Sequence, residues 1–500
     1  MSHVIQSIKN FAHLRPNAVA IADEARCLTY AELLARVTEL GGVLQRQGCD
    51  SIALHADNGP EWIIADLAAW YTNKLLVPVP PFFTAEQVNH LYSSGGIDTV
   101  ITSGDTAGLY ASSSDFERLG ESVAGLSLFS RDCGDGAVRP IARDCCKITF
   151  TSGSTGTPKG VMLSGSTIDA VTRRLVAAFA DTPVARHLCS MPLATLLENL
   201  AGVYVPLVRG TTVCVPSLSS LGLYGSSRID AQRFCKTISD ARAESLILQP
   251  QTLRELTAFV RNASARPDLA LRFVAVGGAK VADADLEEAA LLGIPAYQGY
   301  GLSECASVVA LNRPHETRPG SVGRPLPGLE VEIAPDGEIL VGGQAMSGYL
   351  GEERQEFARV ATGDLGHLDD DGFLYVTGRK KDVFITSFGR NVSPEWPEAA
   401  LLHEPEVAQA CVFGEAMPYN TAIIVPSPSC PDAELEAAIS NANRSLPDYA
   451  RVTEWIVAEE AFSPANGELT STGKPRRDAI ARRYPRTLGL ARSRPLPTFA

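Results

Sequence analysis

No C-x-x-C pair occurs in this 500-residue chain, although it carries eleven cysteines. They sit mostly alone, as at Cys27, Cys49, Cys133, Cys189 and Cys214, and the one close pair, Cys145-Cys146, is adjacent. That spacing argues against a zinc ribbon or a thioredoxin-like motif, and an odd number of scattered thiols fits a reducing cytoplasm. Excess positive charge is lacking too, since 44 Lys+Arg stand against 57 Asp+Glu for a net charge of −13. A phosphate-bearing ligand must then be held by local donors rather than by the global field, and no nucleic-acid surface is advertised. Met1-Ser-His-Val-Ile-Gln-Ser has no basic segment leading into an apolar core, so no signal peptide is expected. No apolar run is long enough to span a bilayer; the stretch 63–70 is broken by Asp66. The expectation is a cytoplasmic protein, monomer or homodimer, without a transmembrane segment or a nucleic-acid partner.

What is present is the makeup of a globular protein with ample core, 45% hydrophobic and 20% charged. The length calls for two or more domains. Thr29-Tyr-Ala-Glu32 has the pattern of a capping box, and Leu33, Val37, Leu40 and Leu44 follow at helical spacing. Strands are expected at 51–54, 99–102, 245–248 and 272–276, with helices at 60–76 and 84–93. This alternation predicts layered α/β units with largely parallel strands. Past Pro327 the texture changes to alternating strands at 329–333, 338–341 and 373–376, separated by Pro335-Asp-Gly337 and Asp370-Asp-Gly372, which predicts antiparallel hairpins. From about Lys381 a small α+β unit follows, with a helix over 433–443. The fold class is therefore α/β, with a large N-terminal domain of layered subdomains plus a β-rich subdomain (1–380). A small mobile α+β C-terminal domain (381–500) completes it.

One segment concentrates phosphate chemistry. The expected strand Ile148-Thr-Phe150 runs into Thr151-Ser-Gly-Ser-Thr-Gly-Thr-Pro-Lys-Gly160. Gly153, Gly156 and Gly160 let amide N–H groups converge on an anion. The hydroxyls of Thr151, Ser152, Ser154, Thr155 and Thr157 add donors, and Lys159 adds charge. The NTPase P-loop is excluded by spacing, because Pro158 falls where that motif needs its second glycine, and G-x-G-x-x-G is absent. The bland alternative is a Ser/Gly loop with no ligand.

The segment resembles the phosphate-binding signature of the adenylate-forming enzymes, which comprise acyl-CoA and aryl-CoA synthetases, peptide-synthetase adenylation domains and firefly luciferase. Further motifs follow in family order. Tyr297-Gln-Gly-Tyr-Gly-Leu-Ser-Glu304 resembles the adenine-and-magnesium motif, with Ser303 where Thr is usual. Thr362-Gly-Asp364 resembles the ribose motif, and Gly378-Arg-Lys-Lys-Asp382 with Phe388-Gly-Arg-Asn391 resembles the hinge. Thr472-Gly-Lys474 resembles the catalytic-lysine motif. Five motifs in order make the chain look closest to fatty acyl-CoA synthetases and acyl-AMP ligases.

The resemblance implies a two-step reaction. A carboxylate attacks the α-phosphorus of ATP to give acyl-AMP and pyrophosphate, and a thiol then takes the acyl group. It implies Mg²⁺ as cofactor with Glu304 as its anchor, and Lys474 as the cation bridging the carboxylate and the α-phosphate. Thr155 joins these two as catalytic. Asp364 and Arg379 would hold the ribose, with Gly278 and Ala279 on one face of adenine and Gln298, Gly299, Tyr300 and Gly301 on the other. The Tyr300 ring either stacks on the base or belongs to the core. Lys381 would be the hinge, and Arg390 a phosphate or thiol-substrate contact after domain rotation. Leu193, Thr195, Leu196 and Gly277 would form the acyl pocket. Asp369-Asp-Asp-Gly372 is a hairpin turn rather than a calcium loop, and His187 and His367 are structural.

Met191-Pro-Leu-Ala-Thr-Leu-Leu-Glu198 resembles the L-P-L-A-H-x-x-E of long-chain members, with Thr195 in place of His, and no F-D-x-S segment suited to an amino acid occurs. An apolar, fatty or medium-to-long-chain carboxylic acid is expected. Glu304 and Asp364 lie only 60 residues apart, without room for a large insertion, which favours CoA over an acyl carrier protein with its phosphopantetheine as acceptor. A free-standing ligase loading a carrier protein remains an alternative. So does a non-catalytic nucleotide-binding homologue.

Overall fold

The computed structural model describes residues 2–484 except 105, 121, 132–141, 143, 152–157, 226–227, 266, 353–357, 389, 429 and 471–472. Six residues of the phosphate-loop signature, Ser152 to Thr157, and Thr472 therefore lie outside the described residues.

Two large sheets make up most of the chain. One has nine strands and is parallel from Val19–Ala22 through Thr212–Cys214, Arg186–Leu188, Ser245–Leu248 and Phe273–Val276 to Ala296–Tyr300. Its ends are antiparallel and short: Cys27–Thr29 on one side, Ala310–Leu311 and Arg324–Pro325 on the other. The second has eight strands, with Cys145–Thr151, Leu75–Pro78, Ser51–His55 and Thr99–Ser103 in parallel at its centre. Its edges are Gly348–Tyr349 and Phe116–Arg118. The largest core joins Ile21 and Val213 of the first sheet to Ile52, Leu54 and Leu163 of the second through buried residues of the intervening helices. This is the layered arrangement that the strand–helix alternation predicts.

Local sequence explains the elements. The helix Tyr30–Arg46 starts on a reciprocal cap in which Glu32 N–H donates to Thr29 Oγ1 (3.2 Å) and Thr29 N–H to Glu32 Oε2 (2.8 Å). The helix expected over 60–76 stops at Tyr71. Asn73 takes the left-handed conformation (φ 54°), and Lys74 N–H closes back on the Ala69 carbonyl at 2.8 Å. That arrangement terminates a helix, and it frees Leu75–Pro78 to pair with Ser51–His55. The antiparallel four-stranded sheet past Pro327 runs Glu330–Ile333, Glu338–Gly342, Arg359–Leu368, Leu374–Arg379. Asp369 turns its last hairpin by accepting from the N–H groups of Asp371 and Phe373, as read from the sequence.

Beyond Arg379 a three-stranded sheet, Val407–Phe413, Asn420–Pro426 and Val452–Val457, carries apolar clusters of its own, one including Leu401 and Ile439 and another including Phe462 and Ile480. Its helix Glu395–His403 reaches back to the larger part, where His403 Nδ1 lies 2.9 Å from Asp285 Oδ1. Asp285 is buried and also bonded by Arg254 at 3.0 Å. Every described cysteine is an unpaired thiol. Among the described residues, no helix is long and apolar enough to cross a membrane.

Between the sheets lies a buried polar knot. Lys147 Nζ pairs with Asp66 Oδ1 at 2.6 Å and donates to Tyr204 Oη (2.8 Å) and Asn199 Oδ1, while Asn199 Nδ2 donates to Asp66 Oδ2 at 3.1 Å. Lys147→Met strands the Asp66 carboxylate in the core and is expected to cost about 3–5 kcal/mol of stability, read by urea unfolding. Adding Asp66→Leu should return most of that loss.

The His403–Asp285 contact gives a pH dependence. The hydrogen bond to Asp285 holds the His403 imidazolium above its ordinary range, against desolvation. Its stabilisation is therefore complete below about pH 6.5 and fades as the pH rises through the raised value. His403→Gln should lower the melting temperature at acidic pH and match the wild type at alkaline pH.

Candidate functional site

Three parallel strands of the nine-stranded sheet, Ser245–Leu248, Phe273–Val276 and Ala296–Tyr300, end side by side, where open α/β sheets take their ligands. Glycine lets the backbones close up at these ends. A Cβ at Gly277 would stand 3.3 Å from the Gly299 carbonyl oxygen, and one at Gly301 would overlap the Ser307 carbonyl at 1.5 Å. Gly278 has φ 87°, and Gly278 and Ala279 are exposed at the strand end while the Gln298 side chain is buried.

The Tyr300 ring extends to the four-stranded sheet, where its hydroxyl donates to Asp364 Oδ2 at 2.6 Å. Arg379, opposite Asp364 in the strand register, pairs through Nε with Oδ1 at 2.8 Å. Among the described residues each carboxylate oxygen thus has one side-chain partner and keeps a lone pair able to accept a ligand hydroxyl. The Asp364 N–H is fixed by Thr362 Oγ1 at 3.1 Å.

Lys474 arrives from the C-terminal part on a turn closed by Thr470 N–H to the Lys474 carbonyl (2.8 Å) and Lys474 N–H to Thr470 Oγ1 (3.0 Å). It remains accessible to solvent yet is ringed by protein atoms, as in an open cleft. Arg379, Glu395, Asp364 and Lys381 all lie within electrostatic reach. Desolvation, with the Arg379 charge second, pulls the ammonium below the usual lysine range; Glu395 and Asp364 act against this.

Glu304 sits on the 3₁₀ turn Ser303–Cys305, followed by two non-glycine residues in the left-handed region, Ala306 (φ 49°) and Ser307 (φ 88°). Such backbone persists only where the surroundings over-determine it, and it collects at functional sites. The carboxylate accepts from the Tyr349 hydroxyl through Oε1 at 2.8 Å. Among the described residues no lysine or arginine pairs with Glu304. A half-buried, acceptor-only carboxylate whose Oε2 has no partner among the described residues fits a hard divalent cation that also takes phosphate oxygens and water.

The described ends of the phosphate-loop signature pair with each other as antiparallel strands. Thr151 lies opposite Lys159, and Cys145–Thr151 pairs antiparallel with Lys159–Ser164. Lys159 Nζ is 3.4 Å from Glu352 and stands 5.0 Å above the Tyr349 ring.

A largely apolar cavity opens at the same strand ends and runs inward past Thr195, Leu196, Ala201, Val205 and Phe179. Thr195, Leu196 and Gly277 line it; Leu193 does not, being 1% exposed within the large core. The wall Glu198–Tyr204 is a π-helix running into Val205–Arg209. Pro206 lacks the N–H that a regular turn would require there, which accounts for the wider winding. Glu198 is fully buried, accepting the Met191 N–H at 3.2 Å and facing His187 Nε2 at 3.3 Å, while His187 Nδ1 meets Ser245 Oγ at 2.8 Å. Burial pushes the Glu198 carboxyl up, against the pull of His187. His187, Cys189 and Glu198 place possible ligand atoms within 4.8 Å of one another, but each already has a partner in the protein, so the trio reads as a closed polar cluster.

Other expected residues lie apart. Arg390 is exposed between the paired strands Phe384–Ile385 and Asn391–Val392, its N–H on Thr386 Oγ1. His367 stacks on Tyr375 at 4.8 Å. The sequence reading passed over Tyr349, Glu395 and the Glu198–His187–Ser245 chain. Glu395 begins the helix that reaches the cleft and falls within the quoted Asn391-Val-Ser-Pro-Glu395, and Glu198 ends the quoted Met191–Glu198 segment; Tyr349 and the link of Glu198 to His187 and Ser245 carry no local signal.

Comparison with known proteins agrees with this geometry. Residues 8–350 match the family described as AMP-binding enzyme, and residues 381–489 match the AMP-binding enzyme C-terminal domain. The long-chain-fatty-acid–CoA ligase FadD15 of Mycobacterium bovis is 35% identical over 222 residues, covering 38% of this chain. That match spans only 37% of the relative's length. Feruloyl-CoA synthase of Amycolatopsis sp. is 29% identical over 446 residues, 83% of this chain and 87% of that protein. Among solved structures, o-succinylbenzoate CoA synthetase (MenE) of Bacillus subtilis with its acyl-adenylate intermediate superposes with a TM-score of 0.75 at 22% identity, over 96% of this chain and 98% of that one. At that identity the likeness is one of fold, and it extends through both parts. With a family match over more than half its length, the chain belongs to the AMP-binding enzyme family.

Proposed function

We propose that the protein activates an apolar carboxylic acid with ATP to an acyl-AMP, releasing pyrophosphate, and then passes the acyl group to the thiol of CoA. The observation that carries the reading is the Asp364–Arg379 pair, tied by Tyr300 to the lining of the apolar cavity, with Lys474 within electrostatic reach of it. Both first-step reactants are anions, so the site must offset their repulsion and hold them in line. A lysine ammonium in electrostatic reach of the Asp364–Arg379 pair serves that need, because it can lie against both anions. Asp364, steadied by Tyr300 and Arg379, orients the ribose, and the glycine-lined strand ends admit adenine against backbone. Glu304 would hold Mg²⁺, which supplies positive charge against the phosphates when bound with ATP.

On this reading residues 1–380 bind ATP and acid, and residues 381–500, hinged at Lys381, bring Lys474 in for the first step and move for the second. The apolar lining supports a fatty acid, and the aromatic acids in the names of related ligases belong in the same test. The protein is read as cytoplasmic.

Lys474→Ala should lower carboxylate-dependent ATP–pyrophosphate exchange by about 10²–10³-fold while AMP binding, measured by calorimetry, persists. Equal exchange in the variant would remove Lys474 from the chemistry. A panel from acetate to palmitate with aromatic acids, scored for pyrophosphate release with and without CoA, should give a thioester with CoA. A thioester formed only on a phosphopantetheinyl carrier protein would overturn CoA as acceptor, and no exchange with any acid would leave a nucleotide-binding homologue.

A further inference from the structure

The strand Gly348–Tyr349 is only two residues long, yet the chain around it is bonded on both sides. Toward the phosphate hairpin, Ser347 N–H donates to the Met162 carbonyl at 2.7 Å and Leu350 N–H to the Gly160 carbonyl at 2.8 Å. Gly160 lies so close beneath this segment that a Cβ there would approach Leu350 Cβ to 3.1 Å. Toward the strained turn, Met346 N–H donates to the Glu304 carbonyl at 2.8 Å, and the Gln344 side-chain amide donates to the Cys305 carbonyl. Segment 344–350 is thus a strap between the hairpin that bears Lys159 and the turn that bears Glu304.

Tyr349 brings the two side chains to the same point. Its hydroxyl donates to Glu304 Oε1 at 2.8 Å, and Lys159 Nζ stands 5.0 Å over its ring, within cation–π distance. We propose that Tyr349 is a positioning residue that holds Glu304 in the rotamer that leaves Oε2 open to a divalent cation, and that its ring seats Lys159 beside that site. The inference rests on the reading of Glu304 as the cation anchor, and it adds the group that aims it. Outer partners of this kind fix the orientation of a ligating carboxylate, and their loss typically weakens metal binding 10–100-fold.

The test compares wild type, Tyr349→Phe, Tyr349→Leu, Glu304→Gln and the Tyr349→Phe/Glu304→Gln pair. Mn²⁺ binding is followed by EPR with a non-hydrolysable ATP analogue, and the Mg²⁺ dependence of carboxylate-driven pyrophosphate exchange is measured alongside. Tyr349→Phe should keep the wild-type melting temperature and weaken Mn²⁺ binding about tenfold. Tyr349→Leu, which also removes the ring, should in addition raise the ATP concentration for half-saturation. In the Glu304→Gln background the hydroxyl should no longer matter. Wild-type Mn²⁺ affinity in Tyr349→Phe, or a full tenfold effect persisting with Glu304→Gln, would overturn the proposal. Normal Mn²⁺ and nucleotide binding by wild type without exchange on any acid would instead sink the ligase reading and leave Tyr349 in its role.

Discussion

The carboxylate of Asp364 is where separately folded parts of the chain are tied together. Tyr300 reaches it from the end of a parallel sheet, Arg379 from the neighbouring strand of an antiparallel sheet, and Lys474 approaches from the C-terminal part. A 5%-exposed carboxylate needs such partners, because an unpaired buried charge is costly. The same partners fix its position to within a hydrogen bond's tolerance. The rest of the cleft is organised around that point: glycine at the strand ends so that backbone can close in, a cation in the open mouth, and an apolar cavity behind.

Much of this was legible in the sequence because the residues involved carry backbone or charge signatures that survive without context. The capping box at Thr29, the turn at Asp369 and the alternation past Pro327 each depend on near neighbours, and each is found as read. The motif residues Glu304, Asp364, Arg379 and Lys474 were recognisable one by one, and the fold brings Asp364, Arg379 and Lys474 into one cleft. What escaped depends on partners distant in sequence. Tyr349 is an ordinary strand tyrosine until Glu304, 45 residues away, is set beside it. The helix at Pro60 was read too long because Leu75 and Leu76 continue its apolar run; the left-handed Asn73 ends it, and the next strand claims them.

The apolar cavity shows how polar groups are used in a nearly apolar setting. His187 lines it and Glu198 lies behind its wall, and Gly202 makes room for the pair, since a Cβ there would stand 2.1 Å from Glu198 Oε1. Glu198 also takes the Met191 N–H, so it fixes the backbone that leads into the Thr195–Leu196 wall. The knot of Lys147, Asp66, Asn199 and Tyr204 grips the same π-helix from the opposite direction and continues into the strand that leads to the phosphate hairpin. The wall of the apolar cavity and the strand that leads to Thr151 are thereby joined through one buried polar cluster.

The short outer strands of the two large sheets have a consequence for the protein in a crowded solution. The nine-stranded sheet ends in Cys27–Thr29 and Arg324–Pro325, and the eight-stranded sheet in Gly348–Tyr349 and Phe116–Arg118. Two or three residues offer few unpaired backbone groups to a passing chain, and the proline at one end and the charged Glu117 and Arg118 at another discourage pairing further. Two broad, strongly hydrophobic sheets can thus be carried at high concentration without the edge-to-edge stacking that such surfaces would otherwise invite.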